Sequence, residues 1–377
     1  MSGSGQADLD WLGSDHKIMR PFTGEGDHVI QATLDRLTLA LLPGVSSRVG
    51  RDLLARGLRA ALDHPDDHAD LLPVSAREEL RSGRARLRAE DEVRLADARG
   101  IRIVGADEPE YPFWLGRTYD PPLVLWARGV LVPGEGERAV AIVGSRAASA
   151  HGLAFVRALA LDLARAGITI VSGLARGIDA AAHQGALDVR GRTVAVLGSG
   201  LDRLYPDENR GLAMAIAREG AVVSEFPLGT PPWKSNFPRR NRVIAGWGRA
   251  VVIAEASERS GALHTARSAL EEGREVMAVP GHPSDPRAAG TNALLRDGAA
   301  LVRHAADVAA EIGLELPPPP AAPGDDVLSA LRRDAPSSLE QIASRCRRAV
   351  PELLARLTEL ELQAQVRRLP GSLFVRS

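Results

Sequence analysis

Short, nearly continuous apolar runs recur through the middle of the chain, and helical stretches of roughly ten or more residues separate most of them. Apolar runs without alternation are typical of strands that are buried on both faces. Strands of this kind that alternate with helices predict an α/β fold with a doubly wound parallel sheet. The runs are Val140–Val143, Ile168–Val171, Val194–Leu197, Ala221–Val223, Ala250–Ile253, Val276–Val279 and Ala300–Val302.

The segment before these runs carries apolar residues at helical spacing instead. Val29–Leu42 predicts a first helix, Ser46 or Ser47 can cap a second, and an arginine-rich third helix is expected from about Ser75 to Arg99. We expect residues 29–100 to form a small helical domain of the SAM or helix-hairpin-helix type.

The turn between the first two helices, Pro43-Gly44-Val45, leaves open how this domain is used. A true helix-hairpin-helix grips the DNA backbone through the N–H groups of such a turn. The second glycine of that motif is missing here and the region is acidic, so a plain helical domain is the favoured interpretation.

Changes in composition mark the borders of the sheet region. Residues 1–28 are rich in Gly, Ser and Asp and lack periodicity, so we interpret them as a disordered leader. Ile101–Val104 and Leu123–Trp126 predict two extra strands, joined by a packed aromatic connection. Together with the apolar runs they define a predicted sheet domain over residues 101–313.

Composition places the chain among soluble globular proteins, with 45% hydrophobic and 25% charged residues in 377. This length favours two or three domains. No apolar run approaches the roughly 18 residues of a membrane span, and the first residues do not resemble a signal peptide, so we expect a cytoplasmic protein without membrane contact. The single cysteine, Cys346, excludes an intramolecular disulfide and any cysteine-based metal cluster.

Charge is distributed unevenly, although the net charge is only −1. Residues 139–310 contain 20 Lys and Arg against 16 Asp and Glu, whereas residues 1–138 contain 18 against 23. The sheet region is therefore modestly basic, which suits an anionic partner.

Glycine-containing turns follow four of the predicted strands. They are Gly144-Ser145-Arg146, Ser172-Gly173-Leu174-Ala175-Arg176-Gly177, Gly198-Ser199-Gly200 and the turn that reaches Ser260-Gly261. In a parallel sheet these turns share the carboxyl edge, where ligands bind, and glycine lets backbone N–H groups approach an anion closely. The turns therefore predict an anion-binding crevice.

A basic stretch that contains an aromatic ring lies on the same edge. It reads Trp233-Lys234-Ser235-Asn236-Phe237-Pro238-Arg239-Arg240-Asn241-Arg242. Pro238 suits the first turn of a helix, where arginines are electrostatically unfavourable unless an anion is bound. A solvated basic face is the simpler interpretation of the stretch alone, but the glycine turns beside it favour a phosphate groove. Arg239, Arg240 and Arg242 cannot share one line on a helix, so at least one is expected to brace the loop or a neighbouring subunit.

Signatures of nucleotide cofactors and of catalysis are incomplete. Arg203 stands where the last glycine of a G-x-G-x-x-G motif belongs, and no G-x-x-x-x-G-K-[ST] sequence occurs. Asp179 and His183 are four residues apart on a predicted helix without further motif support, and a structural histidine is favoured. His264 could touch a ligand. We expect no catalytic residue, no metal and no cofactor.

Seven motifs between about residues 139 and 305 point to one family. They are Ala141–Arg146, Ser172–His183, Tyr205–Arg210, Ser224–Pro227, Asn236–Arg242, Ser260-Gly261 and Val279–Gly281. In sequence and order they resemble the DNA processing protein DprA/Smf family. Trp247, Ala262 and His264 depart from the family pattern, and these departures affect fine substrate contacts.

The resemblance implies an extended Rossmann-like domain that binds and protects single-stranded DNA and loads the RecA recombinase onto it in natural transformation, without catalysis. It also implies a homodimer formed through this domain, and it makes Phe237 a stacking platform for a base. The candidate DNA and phosphate contacts are Gly144, Ser145, Arg146, Ser172, Gly173, Arg176, Lys234, Asn236, Phe237, Arg239, Arg240, Asn241, Arg242, Ser260 and Gly261.

The C-terminal region has the element order of a winged helix. A proline-rich linker over residues 314–324 precedes a domain over residues 325–377. Its third helix holds more glutamates than arginines, so duplex DNA and a protein both stay open as its partner. The predicted elements are helices Asp326–Arg333, Ser338–Arg345 and Val350–Leu362 and strand-like runs Gln365–Leu369 and Leu373–Arg376.

An enzyme on the same fold is the alternative hypothesis. Related nucleotide phosphoribohydrolases use a P-G-G-x-G-T-x-x-E signature, but the corresponding region, Arg259–Ser268, lacks Pro-Gly-Gly and ends in Ser268 instead of glutamate. A third hypothesis is a duplex-DNA regulator that acts through the winged helix.

Overall fold

The computed structural model describes residues 26–316, 326–331, 335–346, 348–362 and 365–376. Contacts divide the chain into two compact units at Glu315 and Leu316. The predicted leader lies outside the described residues except for its last three positions, and so does most of the predicted linker.

A nine-stranded sheet forms the centre of the first unit. Its strands are β1 (Arg102–Gly105), β2 (Val124–Gly129), β3 (Ala139–Gly144), β4 (Thr169–Ser172), β5 (Thr193–Leu197), β6 (Ala221–Ser224), β7 (Ala250–Ala254), β8 (Glu275–Ala278) and β9 (Ala300–Leu301). They lie in the order β1-β2-β6-β5-β4-β3-β7-β8-β9. Each apolar run of the sequence forms one of these strands, which confirms the predicted α/β sheet.

Strands β3 to β9 pair in parallel, so the residues that follow them lie on one edge, here called the carboxyl edge. The two earlier strands differ: β1 pairs antiparallel with β2, and β2 pairs antiparallel with β6. Trp126 of β2 lies opposite Ser224 of β6, so β2 begins where β6 ends. The start of β2 therefore also lies on the carboxyl edge.

Helices cover both faces of the sheet. They are α1 (Gly26–Ala40), α2 (Ser47–Asp63), α3 (Val74–Arg81), α4 (Arg84–Asp97), α5 (Ala150–Arg165), α6 (Ile178–Leu187), α7 (Arg210–Glu219), α8 (Asn236–Trp247), α9 (Ala262–Glu271), α10 (Ala289–Arg296) and α11 (Ala305–Glu311). Along β5, Val194 and Val196 belong to the core that contains Trp247, whereas Ala195 and Leu197 belong to the core that contains Leu201. This alternation places an apolar core on each face.

The N-terminal helices differ from the prediction in one respect. The single helix expected from Ser75 to Arg99 is two helices, α3 and α4, because Gly83 adopts a left-handed conformation with φ 72° between them. The predicted cap of α2 is confirmed, since the hydroxyl of Ser46 accepts a hydrogen bond from the N–H of Val49.

The second unit contains three helices and a small sheet in its described part, which confirms the winged-helix prediction. Strand β10 was not predicted, because two serines carry no apolar strand pattern. The elements are α12 (Asp326–Ala330), β10 (Ser337–Ser338), α13 (Leu339–Cys346), α14 (Val350–Leu362), β11 (Val366–Leu369) and β12 (Leu373–Arg376), with strand order β10-β12-β11. Across both units, none of the described helices combines the length and hydropathy that a bilayer span requires.

Candidate nucleic-acid interface

A cavity of about 250 Å³ lies at the carboxyl edge, where the neighbouring strands β3, β4 and β5 end and α8 begins. It is lined by Arg146, Ala147, Gly173, Ala175, Arg176, Tyr205, Pro206, Phe237 and Arg240, and these residues are here called the cleft. Turns that follow three different strands therefore meet the first turn of α8 at one place.

Arg146 and Phe237 form the accessible part of the cleft. The guanidinium carbon of Arg146 lies 5.4 Å from the centroid of the Phe237 ring, and the exposed Tyr205 ring lies 5.8 Å from the same ring. Arg146 is exposed, and no carboxylate within the described ranges pairs with it. The cleft thus presents an exposed cation beside two aromatic rings.

Arg240 forms the buried floor of the cleft. Its Nη1 donates hydrogen bonds to the backbone oxygens of Gly173 at 2.7 Å and Val196 at 2.5 Å, and its Nε donates to the side-chain oxygen of Asn241. Burial lowers the pKa of Arg240 to about 10, so the side chain stays protonated at neutral pH. Arg240 therefore holds the ends of β4 and β5 in place.

Glycines at the strand ends allow α8 to approach the sheet. A Cβ atom at Gly173 would lie 2.5 Å from Nη1 of Arg240, and one at Gly198 would lie 3.1 Å from Cδ1 of Phe237. A Cβ atom at Gly144 would lie 1.8 Å from the backbone oxygen of Ala254. The close packing of helix and strands accounts for these glycines without an anion.

Several backbone N–H groups in these turns already have partners inside the protein. The carboxylate of Asp179 accepts hydrogen bonds from the N–H groups of Gly173 and Ala175, at 3.2 and 3.3 Å. The N–H of Ser145 donates to the backbone oxygen of Glu255 at 2.7 Å, and the N–H of Ala147 donates to the Ser145 hydroxyl. Side-chain cations, rather than these donors, are what the cleft offers to an anion.

Arg242 and Arg239 share the buried carboxylate of Glu225. Arg242 hydrogen-bonds to Glu225 and to the backbone oxygen of Asp120, whereas Nη2 of Arg239 lies 3.7 Å from Oε2 of Glu225. Burial raises the pKa of Glu225, while both arginines oppose that rise. The Arg239 side chain is 61% exposed and that of Arg242 only 20%. Of the three helix arginines, Arg239 faces solvent and the other two brace the fold; the sequence indicated that at least one would do so but not which.

Two other predicted cations differ in their availability. Lys234 is exposed and has no ion-pair partner in the described part of the chain. Arg176 is exposed but is paired with the carboxylate of Glu208 through both Nε and Nη2. Lys234 is therefore available to bind an anion, whereas Arg176 must first break its ion pair with Glu208.

The remaining predicted residues support the site or lie outside its lining. Ser172 is fully buried and donates to the backbone oxygen of Ile142 at 2.6 Å, and buried Asn236 donates to the backbone oxygen of Pro231. Ser260 and Gly261 lie after β7 at the start of α9, outside the residues that line the cavity. The sequence could not show these orientations, because packing decides them.

Tyr205 and Pro206 line the cleft although we did not choose them as site residues. Both belong to the motif Tyr205–Arg210, which served only to identify the family. It did not show that the Tyr205 ring is 47% exposed and lies beside Phe237.

His183 has a structural role, as favoured from the sequence. It is fully buried, and its Nδ1 lies 2.7 Å from the hydroxyl of Thr193. That hydroxyl donates to the backbone oxygen of Ile170, so Nδ1 is the donor in the pair. Burial, together with the charge of Arg240, lowers the pKa of His183 to about 3, which keeps the imidazole neutral.

Comparison with known proteins supplies relatives for both units. Residues 102–313 match the sequence model of a family described as DNA recombination-mediator protein A, and residues 314–372 match a DprA winged helix domain. Protein Smf of Escherichia coli K12 is 39% identical over 284 residues, which are 71% of this chain and 76% of that protein. DNA processing protein DprA of Bacillus subtilis is 42% identical over 213 residues, 56% of this chain and 72% of that protein. The X-ray structure of DprA from Streptococcus pneumoniae is similar with a TM-score of 0.64 and 35% identity, over 74% of this chain and 97% of that chain.

Proposed function

The chain belongs to the DprA/Smf family of DNA recombination-mediator proteins, and we propose that it acts without catalysis by binding single-stranded DNA in the cleft. The observation that carries the proposal is the pair of Arg146 and Phe237. Within the described ranges Arg146 has no carboxylate partner, and its guanidinium carbon lies 5.4 Å from the centroid of the partly exposed Phe237 ring. Bases of a single strand expose their faces for stacking, whereas a duplex hides them, so this pair suits an unpaired strand.

The charge that holds the strand would come from side chains. Arg146, Lys234 and Arg239 are exposed, and their cations can each neutralise one phosphate. Phosphate contacts of this kind carry no sequence information and weaken steeply with salt. We therefore infer binding that is independent of sequence and sensitive to ionic strength, with Phe237 contributing roughly 1–3 kcal/mol for a stacked base.

The later steps of the role are also proposals, supported by the family relationship. We propose that the bound strand is protected and passed to the RecA recombinase during natural transformation, in the cytoplasm, by a homodimer formed through the sheet domain. The nucleotide phosphoribohydrolase alternative gains no support, since Ser268 occupies the position of the required glutamate within α9.

A competition experiment tests the proposal directly. Fluorescein-labelled oligo-dT is bound to the wild-type protein, and unlabelled single strand or duplex of equal length is added as competitor. The single strand is expected to displace the probe at much lower concentration than the duplex. Equal displacement by the duplex, or no binding of the probe, contradicts the proposal.

A further inference from the structure

A second cluster of arginines and an aromatic ring lies outside the cleft, where α2 meets the connection from β1 to β2. The guanidinium carbons of Arg48 and Arg51 each lie 5.3 Å from the centroid of the Tyr119 ring. Tyr119 is 54% exposed. These three residues are here called the α2 patch.

The charge of the α2 patch is not neutralised within the described part of the chain. Neither Arg48 nor Arg51 forms an ion pair there, and the first turn of α2 contains no acidic residue. The carboxylate of Glu272 accepts a hydrogen bond from the backbone N–H of Tyr119 at 2.8 Å. Two guanidinium groups at one exposed ring repel each other, and a phosphate between or beside them would relieve that repulsion.

The start of α2 lies on the same edge of the sheet as the cleft, and Tyr119 extends from there toward Glu272 at the end of α9. Gly50 of α2 packs against Leu123, since a Cβ atom on Gly50 would lie 2.5 Å from Cδ1 of that leucine. Leu123 immediately precedes β2, whose start lies at the carboxyl end of β6. The cleft sits at the ends of β3, β4 and β5, so only the end of β6 separates it from the patch.

Arg239 lies between the cleft and the α2 patch, beside the end of β6. Its guanidinium carbon lies 5.1 Å from the centroid of the Phe226 ring, which follows β6, and the group is also near Glu225. Glu225 binds Arg242, which in turn hydrogen-bonds to the backbone oxygen of Asp120, next to Tyr119. Arginine and aromatic contacts therefore succeed one another along the edge, from the cleft through Arg239 to the α2 patch.

We propose that a single strand bound in the cleft continues past Arg239 onto the α2 patch, where Tyr119 stacks on a base and Arg48 and Arg51 bind the flanking phosphates. This inference rests on the proposed function. Three strand spacings separate β4 from the start of β2, about 15 Å at roughly 4.8 Å each, a distance that a single strand of a few nucleotides covers. The N-terminal helical unit thereby becomes part of the DNA-binding surface.

Oligonucleotides of two lengths distinguish binding at the α2 patch from binding in the cleft. Wild type, Arg48→Gln/Arg51→Gln and Tyr119→Ala are titrated with oligo-dT of about 3 and about 15 nucleotides, the first too short to reach from the cleft to the α2 patch and the second long enough to cover both. We expect both variants to bind the short oligonucleotide as wild type does and the long one roughly tenfold more weakly, the latter from the loss of one stacked base or two phosphate contacts. The salt slope of the double variant for the long strand should fall by about 1.4, at about 0.7 per phosphate.

Matched controls exclude nonspecific effects of charge and shape. Arg165→Gln/Arg218→Gln removes the same charge from the last turns of α5 and α7, at the opposite edge of the sheet, and should change neither affinity. Tyr119→Phe keeps the ring and should bind the long strand as wild type does. If the α2-patch variants bind the long strand as tightly as this control, the extended path is wrong while the cleft stands. If wild type binds neither oligonucleotide, the proposed function itself fails.

Discussion

Arg240 reaches from α8 to the end of β4, where its Nη1 donates a 2.7 Å hydrogen bond to the backbone oxygen of Gly173. The same guanidinium is buried near Asp179, whose carboxylate binds the N–H groups of the turn. Arg240, buried and turned away from solvent, is therefore a structural part of the cleft. The exposed cations beside it are the ones that can meet DNA.

The first prediction follows from this burial. Arg240→Met leaves two backbone oxygens and the Asp179 carboxylate without their cation, so the free energy of unfolding should fall by about 3 kcal/mol. Arg239→Gln, on the exposed side of the same helix, should change it by less than about 0.5 kcal/mol. Urea denaturation measures both, and equal stability of the two variants contradicts the structural assignment.

The second prediction concerns the space between Gly173 and Arg240. Gly173→Ala places a Cβ atom 2.5 Å from Nη1, which is held by its hydrogen bonds, and should destabilise the protein by about 1–3 kcal/mol. Gly173→Ala should lower the free energy of unfolding by less in an Arg240→Met background, since the guanidinium that clashes with the Cβ atom is absent. A double-mutant cycle in urea measures the coupling, and strict additivity would show that the two residues do not share this contact.

The third prediction separates stacking from charge at Phe237. Phe237→Ala should weaken oligo-dT binding by about tenfold, and Phe237→Trp should retain binding, since a stacked base contributes roughly 1–3 kcal/mol. Phe113→Ala is the control, because that ring also lies under an arginine, Arg117, with 3.5 Å between guanidinium carbon and ring centroid. Fluorescence anisotropy at fixed salt gives the three affinities. Equal losses at Phe237 and Phe113 would exclude a specific platform in the cleft.

The fourth prediction is a pH dependence of stability caused by His183. Its pKa is about 3 in the folded protein against 6.5 ordinarily, so above pH 6.5 the imidazole is neutral in both states and stability does not depend on it. As the pH falls below 6.5, this histidine binds a proton in the unfolded chain but stays neutral in the folded protein, so the free energy of unfolding decreases. Between pH 7.5 and 5.5 this amounts to about 1.4 kcal/mol, at 1.36 kcal/mol per pH unit.

His183→Asn isolates this contribution, because the carboxylates that also titrate are common to both proteins. Urea denaturation at pH 7.5 and 5.5 should show that wild type loses about 1.4 kcal/mol more than the variant. If both proteins lose the same stability, the buried imidazole is not the source of the dependence.

The sheet could be predicted from the sequence because its buried strands are continuous apolar runs, such as Val140–Val143, that few other structures produce. Local detail depended on single residues: Gly83 divides the helix expected over Ser75–Arg99, and β10 has no apolar pattern. Motifs gave the candidate site residues but not their orientation. The direction in which a side chain such as Ser172 or Arg240 points is decided by packing, which periodicity does not record.

Three of the glycine turns end near one another on the carboxyl edge, but an anion is not needed to explain their glycines. The sequence interpretation explained the glycines by a bound anion. In the structure a Cβ atom at Gly144 or Gly173 would collide with neighbouring atoms of the protein, and two N–H groups of the second turn donate to Asp179. Neither composition nor residue spacing shows that one carboxylate accepts hydrogen bonds from the turn before it. The exposed cations therefore carry the proposed binding more than the turns do.

The central claim is that exposed cations around the cleft hold a single strand, and a salt titration tests it most directly. Oligo-dT affinity is measured over a range of salt for wild type, Arg146→Gln/Lys234→Gln/Arg239→Gln, and the control Arg165→Gln/Arg218→Gln/Arg296→Gln, which removes equal charge from exposed helix ends at the opposite edge of the sheet. We predict tight, salt-sensitive binding by wild type and control, and weaker binding by the cleft variant with a salt slope lower by about 2, at about 0.7 for each of three phosphates. Indistinguishable affinities and slopes for the cleft variant and the control would contradict the account.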